Sequence, residues 1–102
     1  MARVEAALGD KIQVKVGDEV VVRLPENPAT GYRWELDRPR GSLELADDEY
    51  VRPRDADVGG GGERRLTFRA TSGGEARVGL RLTRPWEGKA IQQGSVAVNV
   101  EP

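Results

Sequence analysis

Residues 64–83, RRLTFRATSGGEARVGLRLT, decide the fold. Leu66, Phe68 and Ala70 alternate with Arg65, Thr67 and Arg69, and Val78, Leu80 and Leu82 repeat the pattern after Ser72-Gly73-Gly74. A period of two puts successive side chains on opposite faces of a sheet, so both runs are one-sided strands, and the Ser-Gly-Gly between them predicts a hairpin turn. Working outward, the same alternation recurs. Ile12, Val14 and Val16 give a first strand, and Gly17-Asp18 turns the chain into Val20, Val22 and Leu24, with Val21 and Arg23 facing away. Tyr32, Trp34 and Leu36 form a third strand. Leu43 and Leu45 open a fourth that runs through a bulge toward Tyr50 and Val51, and Val96, Val98 and Val100 close the chain. Seven or eight short, evenly spaced strands without a long helix predict an all-β, immunoglobulin-like β-sandwich.

Composition narrows what such a chain does. Its 102 residues suit one core, so residues 1–102 are expected to be a single domain. A formal net charge of -1 gives no field to gather nucleic acid or an anionic membrane, and a monomer without cofactor is expected. No apolar stretch approaches the length of a membrane span, and the opening MARVEAALGDK lacks the apolar stretch of a signal peptide. As written the chain is expected to be cytoplasmic, or secreted or periplasmic if a leader has been removed. Cysteine and histidine are both absent. That removes thiolate nucleophiles, Ser-His and Cys-His pairs, disulfides and the usual zinc sites, and the expectation is a binding protein and not an enzyme.

Three connections stand out. Asn27-Pro28-Ala29-Thr30-Gly31-Tyr32 combines a fixed proline angle with a permissive glycine and reads either as an ordinary turn or as a stiff loop projecting the small Thr30 side chain. Tyr32 and Trp34 share the inward face of their strand and read as core or loop support. Residues 52–63, RPRDADVGGGGE, carry no periodicity; Gly59, Gly60, Gly61 and Gly62 are either a flexible link or a place where another backbone approaches closely. They are no phosphate cradle, since neither a Gly-Lys-Ser/Thr ending nor a helix follows. Arg84-Pro85-Trp86 ends a strand: Trp86 is either an exposed anchor or a ring folded back over the sandwich end beneath Arg84.

Weaker candidates remain. Asp47, Asp48, Glu49, Asp55 and Asp57 are carboxylates for acid-base work or calcium, though a solvated acidic loop explains them better. Arg65, Arg69, Arg77 and Arg81 form either a basic stripe over two adjacent strands or a solvated face partly paired with acids.

Taken together, NPATGYRW (27–34), VGGGG (58–62) and RPWEG (84–88), in this order and at these separations, closely resemble the chagasin family of cysteine-peptidase inhibitors. The resemblance implies an immunoglobulin-like sandwich whose three loops enter the cleft of a papain-like cysteine peptidase and bind it tightly and reversibly. It would set Thr30 beside the peptidase's catalytic Cys-His pair, lay Gly59–Gly62 along the unprimed groove, and brace the primed side with Arg84 and Trp86. Two positions depart from the family pattern: Ala29 stands where threonine is frequent, and Leu82 where an aromatic is common. The rival reading is a carbohydrate- or surface-binding immunoglobulin-like module, which needs neither the Thr30 loop nor the glycine run.

Overall fold

The computed structural model describes residues 2–37, 39, 41–52 and 61–102. Among them lie eight strands: β1 (Arg3–Ala6), β2 (Lys11–Lys15), β3 (Glu19–Glu26), β4 (Arg33–Leu36), β5 (Leu43–Val51), β6 (Gly62–Ala70), β7 (Gly74–Thr83) and β8 (Ala90–Glu101), with one 3-10 turn at Pro28–Thr30. They form two four-stranded sheets, ordered β1-β3-β6-β5 and β2-β8-β7-β4. β1 runs parallel to β3 and β2 parallel to β8, and the other pairings are antiparallel. This is the expected immunoglobulin-like sandwich.

The core is the sum of the alternating faces. Val20, Val22, Leu24, Leu66, Phe68 and Ala70 of one sheet meet Val14, Trp34, Val78, Leu80, Val96, Val98 and Val100 of the other. Phe68 is fully buried, and its truncation to alanine costs about 3–5 kcal/mol through lost transfer energy and the cavity left behind. The bulge anticipated in β5 falls between Leu45 and Asp47.

Four expectations need correction. First, Ser72-Gly73-Gly74 does not close a hairpin: β6 pairs with β3 and β5, β7 with β8 and β4, so this turn carries the chain from one sheet to the other. A hairpin and a sheet-to-sheet arch use the same small residues between the same alternating strands, and only distant partners distinguish them. Second, Arg65 and Arg69 therefore lie on a different sheet from Arg77 and Arg81, and no basic stripe forms.

Third, Val16 is not an inward strand residue. β2 ends at Lys15, and Val16 sits exposed in a turn held by Asp18, whose carboxylate accepts from Lys15 N at 2.9 Å and from Ala2 N at 2.8 Å. Fourth, Tyr32 precedes β4 and lies outside the strand.

Val21 does face away from the core, yet it is only 3% exposed. It lies beside Thr67 and Glu5 in the register, beneath the charged chains of its own sheet. Arg23 bridges Glu5 at 3.2 Å and Glu63 at 2.6 Å, and Arg65 reaches Glu63 at 2.8 Å. The stems of such residues shield apolar surface while their heads stay in water. Arg23 holds the Glu63 carboxyl below its ordinary range.

Candidate functional site: three connections at one pole of the sandwich

Register alone brings the three connections together. In the β3–β6 pair Glu26 lies opposite Gly62, so Asn27 leaves β3 where Gly61 enters β6. In the β4–β7 pair Arg33 lies opposite Thr83, so Tyr32 enters β4 where Arg84 leaves β7. The Asn27–Tyr32 connection is therefore flanked by the glycines on one side and by the Arg84–Trp86 turn on the other. A Cβ built on Gly61 would stand 3.2 Å from the Asn27 Cβ, and one on Gly62 would collide with Val51 O and the Tyr50 hydroxyl. Gly62 therefore has no room for a side chain, and Gly61 has room only if its neighbours give way by a few tenths of an ångström.

The central loop is bolted from within. Asn27 Oδ1 accepts from Ala29 N at 3.1 Å, Thr30 N donates to Asn27 O at 3.1 Å, and Gly31 N donates to Pro28 O at 3.1 Å. Gly31 takes φ 80°, a left-handed conformation that side-chain-bearing residues avoid. The Thr30 hydroxyl donates to Asn27 O at 2.8 Å and accepts from Tyr32 N at 3.2 Å. Thr30 is exposed as anticipated, but its hydroxyl is spent inside the loop instead of projecting as a free donor, because a 3-10 turn leaves the nearby carbonyl within its reach.

The third connection grips the first. Arg84 Nε donates to Thr30 O at 3.0 Å, and its guanidinium carbon lies 4.1 Å from the Tyr32 ring centroid. Arg84 Nη1 donates to Glu87 Oε1 at 2.9 Å, and the Tyr32 hydroxyl donates to Glu87 Oε2 at 3.4 Å. Trp86 is 71% exposed, and its ring edge occupies the space a Gly31 Cβ would need, 2.7 Å from Cη2. The ring is thus neither buried over the sandwich end nor loose: its edge leans on the central loop and most of it stays exposed. Arg84 stacks on Tyr32 in preference to Trp86, whose ring centroid is 5.9 Å away.

Below the loops lies a support that the sequence reading overlooked. Glu26, 5% exposed, accepts from Trp34 N at 2.9 Å through Oε1 and from Arg64 Nη1 at 3.3 Å through Oε2. Arg64 also reaches Asp48 at 2.7 Å. Trp34 Nε1 donates to Pro25 O at 2.8 Å, which ties the strand leaving the loop to the strand entering it. The signal was present: Glu26 stands in phase with inward Leu24, and Arg64 with inward Leu66 and Phe68. A charge of each sign at diagonally neighbouring inward positions of adjacent strands marks an ion pair buried at its carboxylate end.

Gly59 and Gly60, with Asp55 and Asp57, lie outside the described residues. Asp48 serves the ion pair with Arg64, while Asp47 and Glu49 are exposed on β5. Among the described residues no group of three or more acidic side chains is arranged to hold a metal ion.

A sandwich that presents one braced edge of loops, anchored by an exposed tryptophan, belongs to the class of proteins that act by docking onto another macromolecule. Comparison with known proteins gives the particular family. The model of the chagasin family peptidase inhibitor I42 matches residues 13–100, and the chain belongs to that family. It is 31% identical over 85 residues to chagasin of Trypanosoma cruzi, covering 78% of this chain and 77% of that protein. Its fold matches the cysteine protease inhibitor EhICP2 of Entamoeba histolytica with a TM-score of 0.85 at 21% identity, over 99% of this chain and 97% of that one. PbICP-C, solved in complex with falcipain-2, matches with a TM-score of 0.69 at 15% identity, over 95% of this chain and 97% of that one. The relatives are inhibitors, not enzymes, and the sugar-binding alternative gives way to this class.

Proposed function

We propose that this chain, a cysteine-peptidase inhibitor by its family, acts as a monomeric single domain that docks the Asn27–Tyr32, glycine and Arg84–Trp86 connections together into the cleft of a papain-like peptidase. The observation that carries this reading is the bond from Arg84 to Thr30, which makes one body of two connections far apart in the chain. Thr30, at the tip of the bolted turn, fits the position beside the catalytic Cys-His pair. It offers that pair a compact, internally satisfied loop in place of a scissile bond. The glycines, lacking side chains, suit backbone pairing along the unprimed groove. Trp86 and Arg84 suit the primed side, the exposed part of the tryptophan ring supplying apolar contact.

The energetics agree. A nanomolar complex needs about 12 kcal/mol, within the range of an interface of roughly 800 Å² per partner when its loops are ordered beforehand. In the Asn27–Tyr32 and Arg84–Trp86 connections the order is built in by Gly31, the Thr30 hydroxyl and Arg84, so these two lose little flexibility on binding. The test is a titration of papain and cathepsin L-like peptidases with the purified protein. Reversible, competitive inhibition without cleavage of the inhibitor is expected, and absence of inhibition at micromolar concentration across the panel overturns the reading.

A further inference from the structure

Beside the three connections lies an apolar feature that none of them explains. Where β8 begins, Leu82 pairs with Gln92 and Thr83 with Ala90, which leaves Ile91 as the extra residue of a bulge. Bulges re-aim side chains, and this one turns a large aliphatic group out to 59% exposure. Ile91 does not stand alone. It borders a hollow of about 490 Å³ at the loop pole, whose wall also includes Tyr32, Leu82, Gly61, Thr30 and Arg84. Among the described residues only Val16, Leu45, Trp86 and Ile91 are large, apolar and exposed, and two of these four, Trp86 and Ile91, sit at the same pole.

An aliphatic side chain held in water beside a binding edge is unfavourable in the free protein and favourable once covered. We infer that Ile91 is a fourth contact element: with Leu82 and Tyr32 it forms a seat for an apolar side chain on the rim of the peptidase cleft. This seat selects peptidases whose rim is apolar at that point over those whose rim is charged there. Continuity with the loop edge supports that occupant, since Thr30, Arg84 and Gly61 belong both to the hollow and to the edge proposed to enter the cleft. The inference rests on that proposed docking and adds a determinant of target choice to it.

The test measures inhibition constants of wild type, Ile91→Ser, Ile91→Leu and, as a control on the docking itself, Trp86→Ala, with thermal melting of each. Ile91→Ser is expected to weaken inhibition of the most sensitive peptidase about tenfold, as withdrawal of one covered aliphatic side chain should. Ile91→Leu should stay within about threefold of wild type. Both should melt with wild type, because an exposed side chain contributes little to folding. An Ile91→Ser protein as potent as wild type, with Trp86→Ala weakened, overturns the seat and leaves the docking intact. Equal losses in Ile91→Ser and Ile91→Leu also overturn it, since bulge shape and not apolar contact would then matter. If wild type fails to inhibit any peptidase, docking and seat fall together.

Discussion

Arg84 Nε donates a hydrogen bond of 3.0 Å to the backbone carbonyl of Thr30, 54 residues away, while its guanidinium lies over the ring of Tyr32. One side chain therefore fixes the distance between the central connection of the loop pole and the Arg84–Trp86 turn beside it. A planar fork is needed for both contacts at once, and an ammonium cannot supply it.

Arg84→Ala is accordingly expected to weaken peptidase inhibition by about ten- to a hundredfold, with Arg84→Lys recovering little of the loss. Inhibition constants against papain read this directly. Full potency in the lysine variant would show that charge alone suffices.

Gly31 links the same two connections by a different route, because its φ of 80° and the Trp86 ring both exclude a Cβ. Gly31→Ala should cost about 1–2 kcal/mol in urea unfolding through the left-handed strain and should also move Trp86, weakening inhibition. A variant with unchanged stability and potency would mean that the ring does not rest on this glycine.

Glu26 carries the base of the loop. Glu26→Ala leaves the Trp34 amide without a partner and Arg64 with Asp48 alone, and a loss of about 2 kcal/mol is expected in denaturant unfolding. Glu26→Gln keeps one acceptor for the Trp34 amide and should lose less. Equal losses in the two would assign the whole effect to the Arg64 ion pair.

Acid stability follows from Asp18. Backbone amides of Ala2 and Lys15 donate to its carboxylate and lower its pKa from the ordinary 3.8. A lowered folded pKa means that the unfolded chain binds the proton more readily, so the stabilisation is full above 3.8 and disappears as pH falls through the folded value. Unfolding midpoints should drop as the solution is acidified below that ordinary value, and Asp18→Asn should flatten the drop. An identical acid slope in the variant would place the effect elsewhere, for example on Glu63, whose pKa is lowered in the same sense by Arg23.

Local pattern carried most of the fold. Alternation located the core faces of β3, β6, β7 and β8, since burial on one side of a sheet leaves a trace every second residue. It failed where the information is not local. Whether Ser72-Gly73-Gly74 joins paired strands or crosses between sheets depends on β3, which ends 46 residues before Ser72, and on β8, which begins 16 residues after Gly74. The four residues of β1 alternate too briefly to stand out, and their place is set by parallel pairing with β3. At the loop pole the motifs named Thr30, Gly61, Gly62, Arg84 and Trp86, but nothing in them shows that the Thr30 hydroxyl turns inward or that Glu26 lies beneath. Ile91 was invisible for a similar reason: one extra residue in a strand becomes a bulge only against the register of its partner.

The central claim is that three separated connections meet the peptidase as one edge, and amide hydrogen exchange with and without stoichiometric papain tests it most directly. Protection should rise together in peptides covering 27–32, 61–62 and 84–86, with the turns at 16–18 and 72–74 unchanged. Protection confined to one connection, or appearing at those two turns instead, would contradict the account.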